Sequence, residues 1–479
     1  MPLLKLITLE SIIKGSELFF GSYSIFYIVV YIILAVSSFN EIKKYYINKY
    51  FLHKDIIIKS NNAIGVSIVA PAFNEGLTII SNVKSLLSQE YPKFEVVIVN
   101  DGSTDDTLEK LISEFELVKV DFFYIEKIKT EPVRGHYRST NPIYNKLLIV
   151  DKENGKSKAD ASNAGINSTR YSLFICTDVD CILRRDTTAM LVKPFLESDK
   201  KVIAAGAALR ISNSCTFKEG MLYKSHYPDG FFAGFQELEY VRSFIFGRMA
   251  WSKLNGLLLV SGGLGIFDKD TVIAVGGYWN KSLGEDLELI TRMRKYMHEQ
   301  KKEFEIKYIP ESLCWTEVPS DRKVFLRQRV RWARGLIQTL FLHRKLFFNP
   351  KYKNTGLIVF PYYVFCEFMV PILEVVGLVF ILLNLFFFGI NVPFLIIIAI
   401  SVYCFYILIT LSSIFLDQMI HKQYSSLKEI GRLIIMVFIE PLVYHPLNVY
   451  ASLKGYAHFL IQKEKKWGEM SRKGFKTAK

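Results

Sequence analysis

Hydrophobic positions along the chain fall into distinct textures. Phe19–Phe39 is an apolar run without a charge, long enough for a helix to cross a bilayer. From Ile64 to about Asn349, short apolar runs alternate with polar segments, as in a globular α/β domain. Beyond Asn354 the chain turns apolar again over Leu357–Ile390, Val392–Leu416 and Leu433–Ala451. The first of these contains Glu367, Pro371 and Glu374, so part of it is expected along the membrane interface before the helix crosses. The second is a clean span. The third carries Glu440, Pro441, His445 and Pro446, a costly set for a lipid-facing helix.

In the middle region GVSIVA (65–70) predicts a buried strand ending at Pro71, and Leu77–Ser88 has the apolar spacing of a helix. FEVVIVN (94–100) predicts a second buried strand, followed at once by DGSTDDT, where Thr104 or Asp105 can cap the next helix. This is the βαβ rhythm of a parallel sheet. Ligands on such sheets collect at the carboxyl ends of the strands, where Asn74, Glu75, Asp101 and Asp105 would lie; the plainer reading of DGS is a solvated turn. In YSLFICTDVDC (171–181) an apolar strand ends in Asp178-Val-Asp180. Two carboxylates one residue apart can face a single cation, and hard oxygen ligands suit Mg²⁺ or Mn²⁺. No histidine is near, which argues against zinc. A loop of solvated charges is the alternative.

Lys158 opens KADASNAGI at a predicted helix start, where it serves either as a point charge on a phosphate or as an ordinary surface lysine. LGEDLELITRMRKY (283–296) predicts a helix with Leu287, Leu289, Ile290 and Met293 on one face. Glu285 and Asp286 fall in its first turn, either as partners of the helix dipole or with one as a general base aimed into the cleft. QRVRW (328–332) lies in a basic helix with Arg322, Lys323, Arg327, Arg329, Arg331 and Arg334, and its spacing puts Gln328, Arg331 and Trp332 on one face. Beside a membrane such a helix also reads as a headgroup-binding face.

Composition supports a membrane protein. Half of the residues are hydrophobic, 22% are charged and mean hydropathy is +0.21, which excludes a disordered chain, a collagen-like repeat and a disulfide-dense module. The net charge of +14 suits anionic headgroups or a phosphorylated substrate. A nucleic-acid partner is not expected, because the basic residues cluster beside spans without a recognised binding module. The six cysteines form no CxxC pair and read as reduced, mostly buried thiols with no metal or disulfide framework.

The N-terminal run lacks a cleavage site and reads as an uncleaved anchor. The basic segment after it (Lys43, Lys44, Lys49, Lys54) places the next domain in the cytoplasm. The expected organisation is an anchor at 1–55 (span about 19–39), a cytoplasmic catalytic domain at 60–350, a membrane region at 357–456 and a basic tail at 457–479. Within the membrane region, spans are expected at about 363–388 and 392–416, with 433–455 spanning or re-entrant. The loop around His421, Lys422, Lys428 and Arg432 and the tail are both basic. Both face inward only if the third stretch is re-entrant or interfacial, or if there is a further crossing. The chain is thus expected to be a multi-pass protein of the cell membrane.

Taken in order, PAFNE, NDGSTD, KADASNAGI, TDVD, VSGGLGIF, GED and QRVRW resemble the motif series of the membrane-embedded family 2 glycosyltransferases, the group holding cellulose, hyaluronan and poly-N-acetylglucosamine synthases. The resemblance implies an α/β fold: a GT-A catalytic domain with a Rossmann-like, mostly parallel sheet, flanked by transmembrane helices. It implies that Asp101 and the turn with Ala70, Pro71, Asn74 and Glu75 hold the uracil and ribose of a UDP-sugar. Lys158 and Asp178 would contact the diphosphate, and Asp180, together with Asp178, would bind Mg²⁺ or Mn²⁺. Asp286 would be the general base. Arg331 would sit near the diphosphate, Trp332 would form a platform for the acceptor, and Gln328, Ser261 and Gly262 would lie near that acceptor. The chain departs from the family at Gly284, where threonine is usual, and at Ser162, where leucine is common.

The implied activity is an inverting, metal-dependent transfer from a UDP-sugar to a growing β-linked polysaccharide, with export across the membrane as an extension. The alternative is a non-processive transferase adding one sugar to a lipid carrier or glycolipid. A scaffold retaining a dead transferase fold would have lost its carboxylates, whereas Asp101, Asp178, Asp180 and Asp286 are present. Expected partners are the UDP-sugar, a polysaccharide or lipid-linked acceptor, membrane lipids and an accessory export subunit. If the polymer crosses the bilayer, Tyr362, Tyr363, Glu367, Glu374, Tyr444 and His445 are candidate lining groups, unless they serve helix-to-helix hydrogen bonding.

Overall fold

A computed structural model describes residues 2–48, 54–218, 221–388, 392–424, 426–462 and 476–477. The expected basic tail therefore lies outside the described residues, apart from its first residues (457–462) and Lys476–Thr477.

The main strands are β1 (Val66–Ala72), β2 (Phe94–Asp101), β3 (Leu117–Val120), β4 (Val133–Ser139), β5 (Leu147–Lys152), β6 (Leu173–Thr177), β7 (Ile182–Leu183) and β8 (Lys201–Ile211). After the hairpin of β9 (Thr216–Lys218) and β10 (Met221–Lys224) come β11 (Leu264–Asp268) and β12 (Phe304–Thr316). They form one ten-stranded sheet in the order β3-β4-β5-β2-β1-β6-β11-β8-β12-β7, with β9 and β10 apart. The core β5-β2-β1-β6 is parallel, and the strands on either side of it pair antiparallel except for β8 with β12. Every residue of β2 is buried, because helices cover both faces of a parallel sheet and the strand then reads as a continuous apolar run.

Pro71 does not end β1 as expected. Pairing with β6 stops at Val69↔Cys176 while pairing with β2 continues to Ala72↔Asn100, so Pro71 falls where β1 has only one partner strand.

This topology gathers the candidate site. β1, β2, β5 and β6 all deliver their carboxyl ends to one edge. β11 runs the other way, with Leu264 opposite Thr177, so the residues before it, Ser261–Gly263, arrive beside the carboxyl end of β6. β8 and β12 also finish there, with Thr316 opposite Ile211. The helix Arg322–Leu342 follows from that end, capped by Asp321, whose side chain accepts from the backbone N–H of Lys323 and Val324 at 2.8 and 3.1 Å.

Among the described residues three helices are long and apolar enough to cross a membrane: Lys14–Ile47, Leu395–His421 and Leu427–Leu460. A fourth candidate is the pair Thr355–Phe368 and Val370–Phe386, bent by 41°. Pro371 stands beside that bend; it has no N–H to offer the carbonyl four residues earlier and its ring crowds that carbonyl, which favours a kink there. The third C-terminal stretch is one unbroken helix, Leu427–Leu460, despite Pro441 and Pro446. One side of it is covered by the domain: Glu440 pairs with Arg242 (2.8 Å), Tyr444 Oη hydrogen-bonds Arg329 (3.0 Å), and Gly455 lies against the backbone of Val330.

Candidate active site

One end of the edge is built from two turns locked together. Asn74 adopts the left-handed region (φ 55°), which its short polar side chain tolerates. Its carboxamide accepts from Thr104 N (2.8 Å) and donates to Thr104 Oγ1 (3.3 Å). Thr107 Oγ1 accepts from Glu75 N at 2.9 Å, and Asp105 accepts from both Gly76 N and Thr107 N at 3.1 Å. Burial pushes the Asp105 carboxyl up, but the hydrogen bonds from Thr107 and Gly76 outweigh it and hold the group below the usual carboxylate range. Neither Thr104 nor Asp105 is the helix cap: the helix starts at Thr107 after Asp106, and Asp105 is used to tie the two turns.

Beneath them Ala70 is fully buried, and Asp101 is nearly so. Lys152, at the end of β5, reaches Asp101 Oδ1 at 2.8 Å and Asp160 Oδ2 at 2.6 Å, and Gly155 N donates to Asp101 Oδ1 at 3.0 Å. Sequence reasoning missed Lys152. Its only signal was a lysine closing an apolar strand.

A second cluster lies between Lys158, the Asp178–Asp180 pair, Gly262 and Asp286. Ser157 caps the helix Lys158–Ser168 by accepting from Asp160 N, which fixes Lys158 in the first turn. Its ammonium pairs with Asp178 Oδ1 at 2.5 Å and donates to the carbonyl of Gly262 at 2.9 Å. Asp178, Asp180 and Cys181 bring one ligand atom each within 4.8 Å of one another. Cys181 was expected to stand outside any metal chemistry. Its thiol is hydrogen-bonded to Cys314 and fully buried, and both push its pKa well above the ordinary value. The two carboxylates suit a hard cation such as Mg²⁺ or Mn²⁺, with water and phosphate oxygens as the remaining ligands.

Asp286 lies against Gly262. A Cβ on residue 262 would come within 2.5 and 2.8 Å of its carboxylate oxygens, so glycine is required there by close approach. The Asp286 carboxyl is pushed up to about 7, first by burial, then by Glu285 and Asp178, against the opposing pull of Lys158 and Arg331. Lys158 is in turn driven above its usual range: burial disfavours its charge, but Asp178 and Asp286 more than restore it.

Two further contacts set the position of Asp286. Asn163, in the Lys158 helix, grips the backbone of Tyr278 from both sides, donating to its carbonyl and accepting from its N–H, each at 2.8 Å. The helix Glu285–Glu299 starts at Gly284, which meets Gly335 of the Gln-x-x-Arg-Trp helix backbone to backbone; a Cβ on Gly335 would lie 2.6 Å from Gly284 N. A Cβ at 284 would lie 3.2 Å from Gly335 Cα, so the family's threonine would press on this crossing. Ser162, the other departure, is buried with Cys176 Sγ 3.8 Å from its hydroxyl.

On the Gln-x-x-Arg-Trp helix, Arg331 is near enough to act on Asp286, Trp332 is 39% exposed, and Gln328 Oε1 is buried without a hydrogen-bond partner among the described residues. The basic face expected for headgroups is not uniform. Arg329 is buried, pairs with both oxygens of Glu239 at 2.8 Å and lies 4.3 Å over the Trp332 ring. Tyr444, a candidate lining group, is withdrawn from that role because it is 1% exposed and joins this Arg329–Glu239 pair. His445 and Glu374 meet at 2.9 Å, and Tyr362 donates to Glu367 at 3.0 Å.

The family described as Glycosyl transferase family 2 matches residues 67–255, and that described as Glycosyl transferase family group 2 matches residues 223–411. The chain is 27% identical over 294 residues to the poly-beta-1,6-N-acetyl-D-glucosamine synthase of Staphylococcus epidermidis strain RP62A, covering 61% of this chain and 60% of that protein. To the enzyme of the same name in Staphylococcus aureus strain COL it is 27% identical over 312 residues, covering 65% and 63%. The alignments thus span about three-fifths of the length of these curated relatives. A mannosyltransferase from Pyrobaculum calidifontis, solved with GDP-Man and Mn²⁺, superposes with a TM-score of 0.49 at 17% identity, over 91% of this chain and 100% of that one. With the ordered motifs gathered at one sheet edge and two adjoining family matches running from residue 67 to 411, the chain belongs to the family 2 glycosyltransferases.

Proposed function

We propose that this enzyme transfers N-acetylglucosamine from its UDP-sugar to a growing β-linked polysaccharide, with inversion at the anomeric carbon. The observation that carries the reading is the placing of one carboxylate, Asp286, with Lys158, Asp178 and Arg331 around it and Gly262 against it. The choice of sugar and polymer rests on the staphylococcal relatives' names.

In this reading the acceptor hydroxyl attacks the anomeric carbon as the bond to UDP breaks. Asp286 takes the hydroxyl proton, and its raised pKa matches that task near neutral pH. Lys158 and Arg331 offset the negative charge growing on the leaving diphosphate. Asp178 and Asp180 would hold the divalent cation, which supplies further charge neutralisation on the phosphates. Trp332 offers an aromatic face to the acceptor's C–H surface, and Gln328 Oε1 is an acceptor suited to a sugar hydroxyl. With Asp178 and Asp180 assigned to the cation, a single base at Asp286 accords with direct displacement, by the logic of inverting hydrolases with an alcohol in place of water.

The test is product analysis. The purified, reconstituted chain is given a panel of UDP-sugars, and product length and linkage are measured. Long β-linked chains from UDP-N-acetylglucosamine support the proposal. A single sugar per acceptor would replace it with the non-processive reading.

A further inference from the structure

Where the Gln-x-x-Arg-Trp helix ends, Lys295, Phe341, Leu342, His343, Arg344 and Lys345 line a cleft of about 280 Å³. Its floor is fixed, because His343 is buried and its Nε2 is 3.2 Å from Glu288 Oε1. Its rim is cationic. Among the described residues Arg344 and Lys345 are exposed and form no ion pair, while Lys295 stands 4.0 Å from Glu299, its one nearby carboxylate.

Cations at a helix C-terminus complement the dipole and need no ligand for that. The surroundings add something the dipole does not require. Phe341 and Leu342 are each 47% exposed at the mouth, and Phe347 and Phe348 are exposed one turn on. These last two rings pack at 5.9 and 6.3 Å on Phe365, within the bent helix pair that qualifies as a membrane span. Leu357 and Ile358, at the start of that pair, are exposed as well. A cationic cleft that opens onto an apolar face continuous with a span has the two halves of a phospholipid site: charge for a phosphate and greasy surface for acyl chains.

We infer that this cleft binds the phosphate of an anionic phospholipid, with the acyl chains lying along Phe341, Leu342 and the bent helix pair. The inference stands apart from the donor and acceptor chemistry, since none of the rim residues touches the proposed active site.

The full chain is reconstituted in phosphatidylcholine nanodiscs and titrated with a fluorescent phosphatidylglycerol. Saturable binding is expected, weakening as salt is raised. In the K295Q/R344Q/K345Q variant the affinity should fall by roughly tenfold or more, from three lost near-surface charges. The charge-preserving R344K/K345R variant should bind like wild type. Should the triple variant fail to fold, Arg344→Gln and Lys345→Gln are read singly, each with a partial loss. Unchanged affinity on removing the charges overturns the site. So does equal binding of a fluorescent phosphatidylcholine. Inorganic phosphate that displaces the lipid with comparable affinity would reassign the cleft to free phosphate and also overturn it.

Discussion

Asp286 is a carboxylate whose environment is arranged against its ionisation. Since its pKa is pushed up to about 7, the proposal that Asp286 is the base predicts that kcat/KM rises with pH through that region, because a base works only when deprotonated. The same shift has a stability consequence of definite sign. A folded-state pKa above the ordinary 3.8 means that the folded protein holds a proton which the unfolded chain releases, so stability falls as pH rises from about 4 to 7. Asp286→Asn should therefore cut turnover by about 10²–10⁴-fold while leaving UDP binding nearly unchanged. It should also melt above wild type at pH beyond 7, with the gap closing in acid. Equal activity in the variant would refute the base assignment. Gly262→Ala tests the same position sterically. A methyl 2.5 Å from the carboxylate must displace it, and a base moved by about an ångström loses about 10²-fold in kcat. Asp180→Ala should instead weaken cation-dependent UDP binding, read by calorimetry with and without Mg²⁺.

Elements carry the site because the sheet turns sequence-distant turns into neighbours. Three of the four strands of the parallel core were legible, since GVSIVA, FEVVIVN and LFICT are apolar runs ending in acidic or polar turns, whereas Leu147–Lys152 was not picked out. The helices at Lys158 and Glu285 were legible from their first turns. What was not legible is pairing across long separations. The Asn163 clamp on Tyr278 spans 115 residues and joins two segments whose own patterns look ordinary. Likewise nothing local marks Gly284 and Gly335 as a pair: Gly284 stood out only as a departure from the motif, and a glycine inside a helix ordinarily just weakens it. Both contacts can be tested. Asn163→Ala leaves a backbone N–H and a carbonyl of Tyr278 without their partner and should cost about 1–3 kcal/mol in stability. Gly284→Thr should lower both stability and activity, because the added atoms meet Gly335 backbone that cannot swing aside.

At the scale of the whole molecule, the C-terminal helices share buried charges with the catalytic domain. Arg210 on β8 pairs with Asp417 and lies 3.5 Å from Glu237, whose carboxylate accepts from Tyr424 Oη at 2.9 Å. Arg242 pairs with Glu440 at 2.8 Å, donates to Thr410 Oγ1 at 3.0 Å and lies 4.7 Å over the Tyr406 ring. Glu440, read from sequence as an expensive residue in a membrane stretch, is buried because it is spent on this joint. Breaking a buried pair leaves a charge with nothing to offset its lost hydration. Replacing both members by apolar groups removes the charge and the penalty together. Glu440→Ala should therefore destabilise the protein by about 3–5 kcal/mol, seen as a lower thermal midpoint in a fixed detergent. The Arg242→Met, Glu440→Leu double variant should recover most of that loss. If recovery is complete but turnover stays low, the joint sets the position of the Gln-x-x-Arg-Trp helix through the neighbouring Arg329–Glu239–Tyr444 cluster. If the single variant melts like wild type, the helix Leu427–Leu460 is held by apolar packing alone, and the charges are bystanders in joining membrane helices to catalytic domain.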